Sequence, residues 1–279
     1  MVKWSKKWLL VFHPDKCVIM KVLTSLDIDP NDPPDPNFVY TMEGQVLNNT
    51  KCEKDLGVHI DDQLNFKKHI SFIINKANRI LAIVRRTFDY MDKETFLYIY
   101  KGLIRPQLEY ASSVWAPHGH GHIQHIEDLE RVQRRATKQV PGLKDLSYCQ
   151  RLKALDLPTL AFRRTRGDMI QAYKILHPEI GFDKSLPEFL VKSTTCSEKG
   201  LRGHNQKLFK PTPGLRRSDL RKYSFSQRII KLWNSLNRET VNANSVHAFE
   251  RLLDKEWENQ DLKFNNFKAE ITIGNLARF

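Results

Sequence analysis

The sequence predicts a mainly α-helical protein that begins with a small β-containing segment. Three observations predict it. From Lys67 onward, apolar residues recur at i, i+3, i+4 and i+7, the period of a helix that buries one face. Before residue 66 the apolar runs are short and broken by Pro, Gly, Asn and Asp. The composition, 41% hydrophobic and 10% aromatic over 279 residues, can fill the core of one large domain or two ordinary ones.

In chain order, short strands are expected at LLVF (9–12) and FVYTM (38–42), and VLNNTKCEKDLGVHI (46–60) continues as strand, turn and strand. Between them, DIDPNDPPDPN (27–37) is an acidic loop, because each proline removes a donor and restricts the residue before it. Asp27, Asp29 and Asp32 are spaced like calcium ligands but lack the glycine and closing glutamate of a calcium loop. The first strong helix runs from Lys67 to Arg86. Ile70, Ile73, Ile74, Ala77, Ile80, Leu81 and Val84 form its stripe, while Lys67, Lys68, Lys76, Arg79, Arg85 and Arg86 lie mostly off it. A second helix covers Lys93 to Ile104 and breaks or kinks near Pro106. A third covers Ile123 to Gln139, with Ile123, Ile126, Leu129 and Val132 inward, and its matching period predicts packing against the first. Further helices follow at 159–176, 225–236 and 245–257, the last with Ser245 as N-cap. Residues 181–222 are polar and basic, a linker or loop.

The net charge is +13 and the isoelectric point about 9.5, a balance that favours a polyanionic partner such as an RNA or DNA backbone. Two clusters are the candidate contacts. Arg131, Arg134, Arg135 and Lys138 crowd the second half of the third helix, where the helix dipole itself favours cations. Arg163, Arg164 and Arg166 sit at the start of the next helix, against its dipole. That placement points more strongly to an external anion.

Other chemistries find little support. Cys17, Cys52, Cys149 and Cys196 are far apart and form no CxxC pair, so reduced thiols are expected rather than a zinc ribbon. His118, His120, His122 and His125 lie in HGHGHIQH, read as a solvated loop rather than a chelating tract. There is no P-loop, dinucleotide fingerprint or G-x-S-x-G, so no small-molecule ligand, cofactor or bound metal is expected. No apolar run approaches the length of a membrane span and no signal peptide is evident, so an intracellular, membrane-free protein is expected.

Five phrases, in order along the chain, carry a resemblance. They are W-x3-W-x3-F-x3-KC (Trp4, Trp8, Phe12, Lys16, Cys17), KDLGVHID (54–61), IRPQLEYASSVWAP (104–117) with IEDLERVQRRATK (126–138), YCQRLKALDLPTLAFRRTRGDMIQAYKIL (148–176), and YSFSQRIIKLWNSLNRETVNANSVHAFERLLDKEW (223–257). Together they resemble the carboxy-terminal part of reverse transcriptases from LINE-type (non-LTR) retrotransposons of the jockey-like and chicken-repeat-like clades. That family usually has proline where this chain has Asn237.

The resemblance implies an organisation. Residues 1–66 would be a remnant of the polymerase palm and its passage to the thumb, an α+β piece. Residues 67–147 would be a thumb-like helical bundle. Residues 148–258 would be a carboxy-terminal helical region with the basic loop at 181–222, and 259–279 a tail. Lys16 matches the palm lysine that the family associates with the leaving pyrophosphate. The family's aspartates hold two Mg2+ ions that clamp the attacking and leaving oxygens. The matching segment starts just after the hairpin that supplies the aspartate pair. The resemblance therefore implies a truncated RNA-directed DNA polymerase without its catalytic aspartates, inactive alone, that keeps nucleic-acid-binding regions. Asp61-Asp62 imitates the pair, but it stands in KDLGVHID, where the family has no metal ligand. Two rival readings stay open: a decayed element copy with no function, and the carboxy-terminal half of an active enzyme completed by an upstream segment. Without the palm strands, Phe12, Val39, Leu56 and Val58 should form an exposed apolar patch.

Overall fold

A computed structural model describes residues 2–9, 12–22, 39–42, 44–177, 190–193, 204–210 and 223–273. The acidic loop at 27–37, Cys196 and most of the basic stretch at 181–222 lie outside them. The protein is mainly α-helical and divides into two compact units, residues 1–69 and 70–279. The larger unit takes in nearly all of both helical stretches that the sequence separates at residue 147.

The first unit opens with a helix, α1 (Val2–Trp8), where the sequence suggested nothing regular. The strand expected at 9–12 does not appear at its described ends: Leu9 is a turn and Phe12 irregular. Six short strands follow: β1 (Val18–Ile19), β2 (Thr41–Met42), β3 (Gln45–Val46), β4 (Asn48–Asn49), β5 (Cys52–Asp55) and β6 (Val58–Asp61). β1 pairs parallel with β4, and β2 antiparallel with β3. β5 and β6 form the expected hairpin, with Asp55 opposite Val58. Its two-residue turn holds Leu56 and Gly57 at φ 43° and 88°. Two positive φ values match the right-handed twist of a hairpin, and glycine supplies one without strain. Val39 and Leu56 are exposed and Phe12 is half-buried. Val58 departs from the expected patch, for only 4% of it is exposed.

α2 (Lys67–Thr87) buries Ile70, Ile73, Ala77, Leu81 and Val84, the stripe read from the sequence, with Ile74 at its half-buried edge. α3 (Lys93–Ile99) is capped by Asp92, whose carboxylate accepts the Thr95 N–H at 2.7 Å. It does not stop at Pro106. It widens into a π-helical turn over Tyr100–Ile104 and continues as α4 (Arg105–Glu109). A proline ring collides with the carbonyl four residues back and offers it no N–H; one extra residue in the preceding turn relieves both faults. α5 (Ser112–Trp115) leads to α6 (Ile123–Thr137). α6 buries Leu129 and Val132 but also Glu130, Gln133 and Thr137. That mixed face needs polar partners, and it packs against α7 (Tyr148–Leu155) and α8 (Leu160–Leu176). Between α2 and α6, Arg135 donates to the Asn78 side chain at 2.8 Å.

The core of the larger unit gathers around α8, α9 (Phe225–Ser235), α10 (Arg238–Val241), α11 (Val246–Glu256) and α12 (Asp261–Phe264). Tyr173 stacks on Phe249 with centroids 4.3 Å apart, and Phe249 lies 6.1 Å from Trp233. Ser245 caps α11, accepting the Ala248 N–H at 3.1 Å. At Asn237, φ is −68°, which proline would accept, but the N–H donates to the Glu256 carboxylate at 3.3 Å and proline would forfeit that bond. The segment after 259 belongs to the core, with Leu262 and Ile271 buried. Thr159, the N-cap of α8, donates its hydroxyl to the Leu262 carbonyl at 2.6 Å.

Trp233 is fully buried at the centre of this cluster and donates its indole N–H to the Gln206 carbonyl at 2.8 Å. Trp233→Ala should therefore lower unfolding free energy by about 3–5 kcal/mol, read from urea titrations monitored by circular dichroism. A loss under about 1 kcal/mol would show that the ring is not packed as described.

Candidate nucleic-acid interface

α8 places three arginines in its first two turns, and two of them, Arg163 and Arg166, pair with carboxylates from other helices. Arg163 donates to both oxygens of Glu109 on α4, the Nη2 bond measuring 2.9 Å. Arg166 grips Asp254 on α11 at 2.5 and 2.8 Å and reaches Glu250 at 3.5 Å. Arg164 is buried, and burial pulls its guanidinium below the ordinary range while Glu130, Glu109 and Asp168 oppose that shift. Two turns into α8, Asp168 receives Arg228 of α9 through both oxygens, at 2.8 and 2.9 Å. Arg228 also donates to the Ser113 carbonyl at 2.8 Å. The unfavourable end of the dipole is thus offset by internal carboxylates. The motive for an external anion is met within the fold at Arg163 and Arg166, while the buried Arg164 Nη1 has no hydrogen-bond partner among the described residues.

A polar network continues from there. Tyr100 donates to Gln133, and Gln133 donates to Tyr148 at 3.0 Å and to the Pro158 carbonyl at 3.1 Å. Tyr148 donates to Glu130 at 2.7 Å, and the Ala161 N–H donates to the same carboxylate at 2.8 Å. Burial pushes the Glu130 carboxyl up against these stabilising contacts.

The α6 cluster divides. Arg131, Arg135 and Lys138 are exposed; Arg131 pairs with Asp128 one turn back at 3.0 Å, and Arg135 holds Asn78. Arg134 is half-buried over the rings of Tyr148 and Phe267, at 5.1 and 5.6 Å. Arg131, Arg135 and Lys138 therefore face solvent, as phosphate contacts must.

A third basic surface was not singled out by sequence reasoning. α2 carries no Asp or Glu anywhere between Lys67 and Thr87. Within the larger unit its Lys76, Arg79, Arg85 and Arg86 are exposed. The salt bridges among the described residues involve none of these four. The Arg135–Asn78 bond sets this helix beside the basic end of α6. The signal is present in the sequence as a run of cations with no acid near, whereas placement against the helix dipole favours α8.

The other candidates have structural settings. Lys16 is exposed at the end of a single 3-10 turn. The Asp61 carboxylate accepts backbone N–H groups of Gln63, Asn65 and Phe66 at 3.1, 3.1 and 2.8 Å, which organises the turn into α2. His118 lies 3.8 Å from Asp168, and the rings of His122 and His125 are 5.7 Å apart. Gly119, at φ 80°, lets this loop pass Tyr223 where a Cβ would come within 2.3 Å of the ring. Among the described residues, no group of three or more His, Cys, Asp or Glu is placed to hold a metal ion, and no helix is long and apolar enough to cross a membrane.

Comparisons place this geometry. Over 146 residues, half of this chain, the sequence is 25% identical to the RNA-directed DNA polymerase of the mobile element jockey from Drosophila funebris. The chain is distantly related to a retroelement reverse transcriptase. Over 128 residues it is also 25% identical to an uncharacterized protein of Caenorhabditis elegans. The matches span 15% of the jockey polymerase and 65% of the nematode protein. No protein-family model and no solved structure matches.

The His118 imidazole is held well below its ordinary range by burial, then by the nearby Arg228, Arg164 and His122. Neutral when folded, it takes a proton near pH 6.5 when unfolded, so stability is lost as pH falls below about 6.5. Asp168 and Glu130, raised by burial, act in the opposite sense at lower pH. His118→Gln should therefore flatten the decline between about pH 6.5 and 5 in urea titrations. An unchanged slope would show that His118 is freely solvated.

Proposed function

We propose that this chain is a nucleic-acid-binding portion of a reverse-transcriptase-related retroelement protein, and that its residues alone carry no polymerase chemistry. The carrying observation is the acid-free outer face of α2, whose exposed cations stand beside Arg131, Arg135 and Lys138 of α6. Cations on helices suit backbone contacts, which bind RNA or DNA phosphates with little regard to sequence. The distant relationship to the jockey polymerase supports the same partner. The role of Asp61 in its turn supports the second half: the one adjacent aspartate pair in the described residues includes a carboxylate already committed to three backbone donors. Full-length relatives use Mg2+ held by aspartates that the matching phrases do not include.

The chain should bind RNA and DNA with affinity that falls roughly 10²–10³-fold from 50 to 200 mM salt, as about four to six phosphate contacts require. Arg79→Gln with Arg85→Gln should lower the slope of log affinity against log salt by nearly two, measured by fluorescence anisotropy. Arg163→Gln should leave that slope intact and lower the melting temperature. Primer extension with magnesium and deoxynucleotides should yield no product. Salt-independent binding would sink the interface, and templated extension would sink the inactivity.

A further inference from the structure

Beyond the phosphate contacts, the larger unit exposes aromatic rings between its cations. Tyr90 is 73% exposed and Tyr98 80%, values at which neither ring packs into the protein. Tyr90 stands between α2 and α3, after Arg85 and Arg86 and before Lys93. Tyr98 lies on α3, and Lys101 follows three residues later on the same exposed side. Phe88, 40% exposed, precedes Tyr90. The acids in this stretch are Asp89, Asp92 and Glu94. Asp92 caps α3, and Glu94 is in its first turn, so the positive end of the α3 dipole offsets both.

A ring costs free energy to hold in water, and its face is complementary to another π face. A nucleic-acid duplex hides its base faces within its own stack. Unpaired nucleotides expose them, beside phosphates that the neighbouring cations can neutralise. An aliphatic protein surface would fit two exposed phenols with exposed Lys and Arg near them in the sequence less well.

We infer that Tyr90 and Tyr98, flanked by Arg86, Lys93 and Lys101, form a stacking surface for unpaired nucleotides of a single strand. The inference rests on the nucleic-acid reading and specifies its form. The single strand lies along the α2–α3 connection, where bases stack on the two rings and phosphates meet the cations. Stacking is indifferent to base identity, so the surface adds affinity without sequence preference.

The test uses the full chain, with a fluorescein-labelled uridine oligonucleotide and a blunt RNA hairpin of equal charge as probes. Tyr90→Ala with Tyr98→Ala should raise Kd for the oligonucleotide roughly tenfold or more, change Kd for the hairpin less than about twofold, and leave the melting temperature unaltered. Tyr90→Phe with Tyr98→Phe keeps both faces and should restore oligonucleotide binding. Wild-type binding of the oligonucleotide with no loss in the alanine variant would overturn the stacking surface while leaving the phosphate interface standing. Equal losses on both probes would overturn the single-strand assignment. Failure of the wild type to bind either probe would overturn the nucleic-acid reading and this inference with it.

Discussion

The charges packed around α8 pair with one another, and the arrangement of the larger unit depends on that pairing. Arg163, Arg166 and Asp168 lie on one helix, and their partners come from α4, α11 and α9. A guanidinium out of water without a carboxylate is costly, so each helix is fixed along α8 as well as against it. An apolar stripe alone tolerates sliding and repacking; paired charges do not. The aromatic cluster of Tyr173, Trp233 and Phe249 then supplies the bulk of the burial on the side where α9 and α11 meet α8.

This constraint sorts the protein's cations into two populations. Arg163 and Arg166 at the start of α8 pair internally and serve the fold. Those on α2 and the end of α6 face solvent. These exposed cations are open to screening by salt and to contact with a polyanion. The match to the jockey reverse transcriptase spans 15% of that polymerase's length.

Much of the helical fold was legible in the sequence. The α2 stripe, the Ser245 cap and the β5–β6 hairpin follow from period, side-chain chemistry and a turn glycine, all local properties. What could not be read was whatever depends on partners distant in the chain. Glu109 lies 54 residues from Arg163, and Asp254 lies 88 from Arg166, so nothing local distinguished a paired arginine from one awaiting a ligand. The break or kink expected near Pro106 takes the form of a widened π-helical turn just before it. α1 and the packed segment after 259 lack long periodic stripes, and their order is set by contacts that sequence pattern does not record. The α2 surface was legible as an acid-free run, but its juxtaposition with α6 through Asn78 was not.

The most direct test of internal charge cancellation is a double-mutant cycle on Asp168 and Arg228, both under 10% exposed at the side chain. Unfolding free energies would be measured for Asp168→Ala, Arg228→Ala and the double variant in urea. The account predicts that each single change costs about 3–5 kcal/mol, because it strands a buried charge, and that the double costs clearly less than their sum. Small, additive losses would contradict it, and would return the arginines of α8 to the pool of charges available for an external anion.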